Sequence, residues 1–381
     1  MYAFCMINMK QYIYADNAAT TKLDTDAFKA MKEFLISDYA NPSQPYSFSR
    51  RAKNAIKEAR ELVASCIGAN PDEVYFTSGG SESDNWAIKG VADRLCKSDN
   101  IISSSIEHHA VLNSLASLEQ RIDCKFLMPD KSGIVKPNKL KNLISDSTKL
   151  VSIMYGNNEL GTIQPISELC KITHTAGAVF HTDAVQAVGH IPINVRNLNV
   201  DLMSASAHKF NGPKGIGFLY VKSGTDIVPL INGGSQEHTM RAGTENVASI
   251  VGMSVALAKN VKYMQENTAH IKRVENRFLK KLESSQINYI RNGQGNLLPG
   301  IVNMSFPGYS GEALLHRLDL MGICISTGAA CNTINTEVSH VLKAIKIPDV
   351  NSKGTIRISF GKDNTLNDAD VIVDALKKIL L

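Results

Sequence analysis

Residues 50–85 read RRAKNAIKEARELVASCIGANPDEVYFTSGGSESDN, and the change of period inside this stretch decides the fold. Over 50–67, Ala52, Ala55, Ile56, Ala59, Leu62, Val63 and Cys66 recur at three- and four-residue steps, which places them on one face of an amphipathic helix. The turn ANPDE closes that helix. VYFT at 74–77 is short, β-branched and aromatic, and reads as a strand. The turn SGG then leads into a second helix from Ser81 to about Cys96, with Trp86, Ile88 and Val91 among its apolar residues.

The same rhythm continues outward. NIISSS (100–105), CKFLM (124–128), KLVSIMY (149–155), AVFHTDA (178–184), DLMSASA (201–207) and GIGFLYV (215–221) read as strands, with helical stretches near 109–120, 138–145 and 165–177 between the first five. Such alternation predicts an α/β fold with a large, mostly parallel sheet covered on both faces. Beyond 245 the texture changes. One or two long helices over 245–285 precede strands at 301–306, 323–326 and 354–360, which alternate with helices at 311–321, 336–346 and 366–380. This predicts a smaller α/β domain, made of residues 1–13 and 259–381, docked on a large domain of residues 14–258. A site between them is expected.

Composition narrows the function classes. The 381 residues are 44% hydrophobic and 20% charged, which excludes wholesale disorder. A net charge of +5 over this length, without a Lys/Arg block, is no nucleic-acid footprint. No apolar run approaches the roughly 18 residues that would cross a bilayer, so no membrane role is expected. Seven scattered cysteines without a CxxC pair suit neither a disulfide framework nor a zinc site, and point to a reducing, cytoplasmic setting. The start lacks a basic region and a clean apolar core, so no signal peptide is read, and Met9 is an alternative start to Met1.

Ligands of parallel sheets bind beyond the carboxyl ends of the strands, so the residues there are the candidates. Ser78-Gly79-Gly80-Ser81 opens a helix and suits a phosphate, or else Ser81 is a plain N-cap with Glu82 and Asp84 favouring the helix dipole. His108 and His109 are adjacent, so their side chains diverge, which argues against joint metal ligation. Asp183 ends an apolar strand, with Gln186 just beyond. It reads equally as the cap of a short helix or as the partner of a bound cationic nitrogen. Lys209, after Ser206-Ala207-His208, is either solvent-facing or a buried amine able to form a Schiff base with an aldehyde. Cys331 sits in STGAACNTINTEVSH, whose composition predicts a flexible tip suited to nucleophilic attack once the thiol is activated. Cys324, in ICIS, is expected in the core.

These motifs together resemble the group I cysteine desulfurases of the NifS/IscS type, within the class V aminotransferases. The resemblance spans IYADNAATT (13–21), FTSGGSESDN (76–85), EHHAV (107–111), VSIMYGNNELG (151–161), HTDAVQAVG (181–189), DLMSASAHKFNGPKGIG (201–217), MRAGTEN (240–246), STGAACN (326–332) and IRISFG (356–361). It implies the type I fold of transferases that depend on pyridoxal 5'-phosphate (PLP). By the same resemblance Lys209 binds the cofactor and takes the substrate's α-proton, and Asp183 pairs with the pyridine nitrogen. His108 stacks on the ring, and Gln186 meets its phenolic oxygen. Gly80, Ser81, Ser206 and His208 hold the phosphate, with Ser81 where relatives usually have Thr. Thr244 reaches the phosphate of a partner subunit, which implies a homodimer. Asn158 and Arg357 bind the substrate carboxylate. Cys331 takes sulfur from L-cysteine as a persulfide and leaves alanine. A sulfur-acceptor protein, serving iron–sulfur assembly or RNA thiolation, is the implied partner, and the segment after Cys331 is long enough for group I. A selenocysteine lyase or an aminotransferase on the same fold, and a non-catalytic dimeric sulfur-transfer scaffold, are the competing readings.

Overall fold

The computed structural model of the chain describes residues 12–327 and 338–381. Its strands are β1 (Ile13–Tyr14), β2 (Val74–Thr77), β3 (Asn100–Ser104), β4 (Asp123–Leu127), β5 (Thr148–Ser152), β6 (Val179–Asp183), β7 (Leu202–Ser206), β8 (Gly217–Val221), β9 (Ile290–Asn292), β10 (Ile301–Ser305), β11 (Ile323–Cys324), β12 (Ser326–Thr327) and β13 (Thr355–Ser359). Among the described residues one sheet has the order β2-β8-β7-β6-β5-β3-β4. Its neighbours from β7 to β4 pair in parallel, whereas β8 is antiparallel to both β7 and β2. The reversal follows from chain length. Residues 207–216 are too few for a parallel crossover, which needs a dozen or more, so the chain turns straight back.

Helices cover both faces of this sheet. α1 (Thr25–Ile36) and α2 (Arg50–Ile67) lie against the helix Val247–Lys262. On their side, Phe76, Phe180, Phe210 and Phe218 fill a core. On the other side α3 (Gly80–Ala92) packs with the helix His109–Ala116, where Trp86, Ile88, Ile101, Leu115 and Leu219 are buried. The buried face of α2 includes Ala52, Ile56, Ala59 and Val63 as the spacing predicts, but also Arg60, Ala64 and Ile67, while Leu62 turns outward. Arg60 tolerates burial because Glu237 meets its guanidinium through two hydrogen bonds of 2.7 Å. Gly68 ends α2 with φ 73°, a left-handed conformation that glycine adopts without strain.

A second core gathers Phe278, Phe306, Ile356, Ile358 and Ile372 around an antiparallel sheet of order β12-β13-β10-β9. The long helical stretch is two helices, Val247–Lys262 and Met264–Glu283. β1 pairs in parallel with β11, which ties the start of the described chain to this core. The expected 336–346 helix is described as His340–Ala344, capped by Ser339, whose Oγ accepts from the Val341 N–H at 3.0 Å. Cys324 is only half-buried, because Ile323 takes the inward face of β11 and successive strand residues face opposite sides. Cys66, Cys96, Cys124 and Cys170 are likewise free thiols. Cys5, both candidate start methionines and Cys331 lie outside the described residues. Among the described residues no helix is long and apolar enough to cross a membrane.

Candidate active site

The carboxyl ends of β2, β3, β5, β6 and β7 open on one cavity of about 660 Å³. Gly80, Ser81, His108, Asn158, Asp183, Gln186, Ser206, His208, Lys209 and Arg357 all line it. Thr244 is exposed and is not among the lining residues. Cys331 lies outside the described residues, although Val338, Ser339 and His340, a few positions on, border the cavity.

Each element delivers its group for a local reason. β7 runs into the single turn Ala207–Lys209, which aims Lys209 back over the sheet edge. Its Nζ donates to the carbonyls of Ala18 at 2.6 Å and Ala19 at 2.8 Å, and its own carbonyl accepts from His190 Nε2 at 2.8 Å. Asp183 ends β6, is buried, and accepts the Val185 N–H at 2.9 Å. Burial pushes its carboxyl up, while His108 and Lys209 pull it down. His108 caps its helix by accepting the Ala110 N–H on Nδ1 at 3.1 Å. Burial holds its imidazole below the usual range, so it is neutral with the proton on Nε2. His208 reaches Thr20 Oγ1 at 3.1 Å, and burial, then Lys209 and Lys214, push it down to about 4.

The glycine turn forms a cradle. Gly79, not Ser81, is the N-cap of α3, with φ 151°, so Ser81 falls in the first turn. A Cβ at Gly80 would lie 2.6 Å from Val185 Cγ2 and one at Gly217 would lie 2.8 Å from Gly79 Cα, so only bare backbone fits here. The first-turn N–H groups and the positive helix end favour an anion.

Arg357 comes from β13 in the second core and is buried. Nη1 donates to the Asn158 carbonyl at 2.9 Å and Nη2 to Asp16 Oδ1 at 2.7 Å, while Nε has no partner. Each Nη carries a second N–H, and a guanidinium lining the cavity suits a carboxylate ligand. Gln186 donates from Nε2 to the Ala18 carbonyl at 2.8 Å.

Sequence reasoning missed three acids that line the cavity, Asp84, Glu107 and Glu159, and a fourth, Asp16, that pairs with Arg357. Asp16 orients Arg357. Glu107 accepts the Met154 N–H on both oxygens, at 3.0 and 2.8 Å, and the Ser104 hydroxyl on one. Glu159 accepts from Ser339 Oγ at 2.6 Å, and burial pushes it up to about 7. Asp84 is buried rather than decorating a helix end. His340, also missed, donates from Nε2 to the Glu107 carbonyl at 3.0 Å.

A lysine amine, a buried acid, a glycine turn at a helix start and a buried arginine from the second sheet meet around one cavity, as a PLP-dependent enzyme requires. The donor set fits that cofactor at its aldehyde, ring-nitrogen and phosphate ends. The family model for class-V aminotransferases matches residues 13–372. A cysteine desulfurase IscS from Dictyoglomus turgidum (strain DSM 6724 / Z-1310) is 47% identical over 375 residues, covering 98% of this chain and 95% of that protein. A solved NifS-like protein superposes with a TM-score of 0.92 at 36% identity, covering 97% of this chain and 99% of the other. A structure described as SspA in complex with cysteine gives 0.82 at 35%, covering 93% and 100%. The chain belongs to the class-V aminotransferase family and, within it, to the PLP-dependent cysteine desulfurases.

Proposed function

We propose that the chain takes sulfur from L-cysteine, leaves L-alanine and carries the sulfur as a persulfide on Cys331. Bound PLP supplies an aldehyde for amines and a ring that stores an electron pair. Lys209 holds the aldehyde end and moves a proton at the substrate α-carbon. Asp183 pairs with the ring nitrogen, His108 covers the ring face, and Gln186 meets the ring oxygen. Gly80, Ser81, Ser206 and His208 hold the phosphate, with Thr244 reaching the partner subunit's phosphate in a homodimer. Asn158 and Arg357 hold the substrate carboxylate. The substrate's carbon–sulfur bond breaks, a sulfur–sulfur bond to Cys331 forms, and the thiol's proton balances alanine. A protein thiol then receives the sulfur. In this reading residues 14–258 hold the cofactor, and residues 1–13 with 259–381 bring Arg357 and Cys331.

The observation that carries this reading is the meeting of Lys209, Asp183 and Arg357 on one cavity. Mass spectrometry after brief cysteine treatment tests it. A gain of one sulfur on the peptide bearing Cys331, lost in Cys331→Ala, is expected. Full alanine release with sulfide by Cys331→Ala would refute the acceptor role.

A further inference from the structure

Two acids border the cavity floor where one charge is required. Asp84, on α3, and Asp183, at the end of β6, are both buried, and burial followed by the Asp183 charge drives the Asp84 carboxyl well above its usual range. One Asp84 oxygen, Oδ1, has no hydrogen-bond partner, and its nearest basic atom is His181 Nε2 at 3.7 Å. That imidazole gives no counter-charge, because burial pushes it down to about 3. Glu107 adds a third buried acid, while His108 and Lys209 lie on the Asp183 side. Two close carboxylates in such a site do not both ionise.

A chain of polar groups runs away from Asp84 beneath the sheet edge. Ser204, opposite Asp183 in the register of β6 and β7, lies with Oγ 3.0 Å from His181 Nε2, the same atom that stands 3.7 Å from Asp84 Oδ1. On its other side His181 Nδ1 is 2.8 Å from Ser152 Oγ. Neutral imidazole has one donor and one acceptor, so the direction of this chain is fixed by whichever end holds a proton.

We propose that Asp84 is a positioning residue that stays a neutral acid and donates to Ser204, leaving the single negative charge of the pair on Asp183. Ser204 then donates to His181 Nε2, and His181 Nδ1–H donates to Ser152. Were Asp84 ionised, Ser204 would donate to it, and His181 would carry its proton on Nε2. The proposal rests on the reading of Asp183 as the partner of the cofactor's ring nitrogen, and deepens it. A carboxylic acid kept neutral by its surroundings is an established device.

The test is nitrogen-15 NMR of histidine-labelled holoenzyme, with pH titration of the bound cofactor's visible band alongside. The proposal expects His181 as the neutral Nδ1–H tautomer. It also expects Asp84→Asn, whose amide still donates, to keep the wild-type titration midpoint, and Asp84→Leu to move it. An Nε2–H tautomer in the wild-type protein overturns it, even where a variant fails to fold. So does an Asp84→Asn midpoint displaced as far as that of Asp84→Leu. Failure of the Asp183 reading would look different, as an Asp183→Asn protein whose visible band and titration match the wild type.

Discussion

Arg357→Lys separates charge from geometry at the substrate end of the cavity. The guanidinium already spends Nη1 on the Asn158 carbonyl at 2.9 Å and Nη2 on Asp16 at 2.7 Å. Nε is buried without a partner, so in the proposed role the second N–H of each Nη is what the side chain offers a carboxylate. Lysine keeps the charge, and so keeps a cation beside the half-buried Asp16, but it cannot span three partners set around a planar fork. A charge-assisted hydrogen bond is worth about 1.5–3 kcal/mol, which corresponds to roughly a 10- to 150-fold fall in kcat/KM. The loss should fall mainly on KM, since a carboxylate is held equally before and during the reaction. Initial rates of alanine formation against cysteine concentration measure both constants, and the visible band checks that cofactor loading is unchanged. A fall below threefold, or one confined to kcat, would refute the role of Arg357.

Glu237→Ala should destabilise the protein by about 3–5 kcal/mol, because it strands the buried Arg60 guanidinium and removes the acceptor of the Phe76 N–H at 2.8 Å. A urea unfolding shift worth less than about 1 kcal/mol would contradict that account. Gly80→Ala brings a Cβ to 2.6 Å from Val185 Cγ2 inside the cradle. It should cost about 1–3 kcal/mol of stability and weaken PLP retention on dialysis, whereas retention equal to wild type would argue against a phosphate site there. Burial raises Glu107 from an ordinary 4.5 to about 8, so its stabilising contribution is complete below 4.5 and is lost as pH rises through 8. Urea midpoints measured from pH 5 to 8 should fall more steeply for the wild type than for Glu107→Gln, and parallel slopes would contradict the shift.

Much of the site was legible because chemistry and topology share an address. Asp183, His208 and Lys209 stand at or just after strand ends, and the 2- and 3.6-residue periods locate those ends without long-range information. The acids were harder. Asp84 and Glu82 sit beside a helix start, where acidic residues are ordinary, and only the fold reveals that Glu82 meets Arg241 at 2.8 Å while Asp84 points inward. Asp16 and Arg357 are 341 residues apart, and their pairing depends on the parallel bridge that sets Asp16, just after β1, beside Ser359 of β13. The reversed direction of β8 is written in a connection length rather than in the strand's own residues. Arg60 reads as the polar flank of α2 until Glu237 supplies its partner.

The central claim is that the Lys209 amine holds the cofactor above Asp183. Borohydride reduction of the purified protein, followed by peptide mass mapping, tests it directly. The account predicts one phosphopyridoxyl group, on the peptide that contains Lys209. A reduced protein tagged at another lysine, or one that takes up no tag after incubation with PLP, would contradict it.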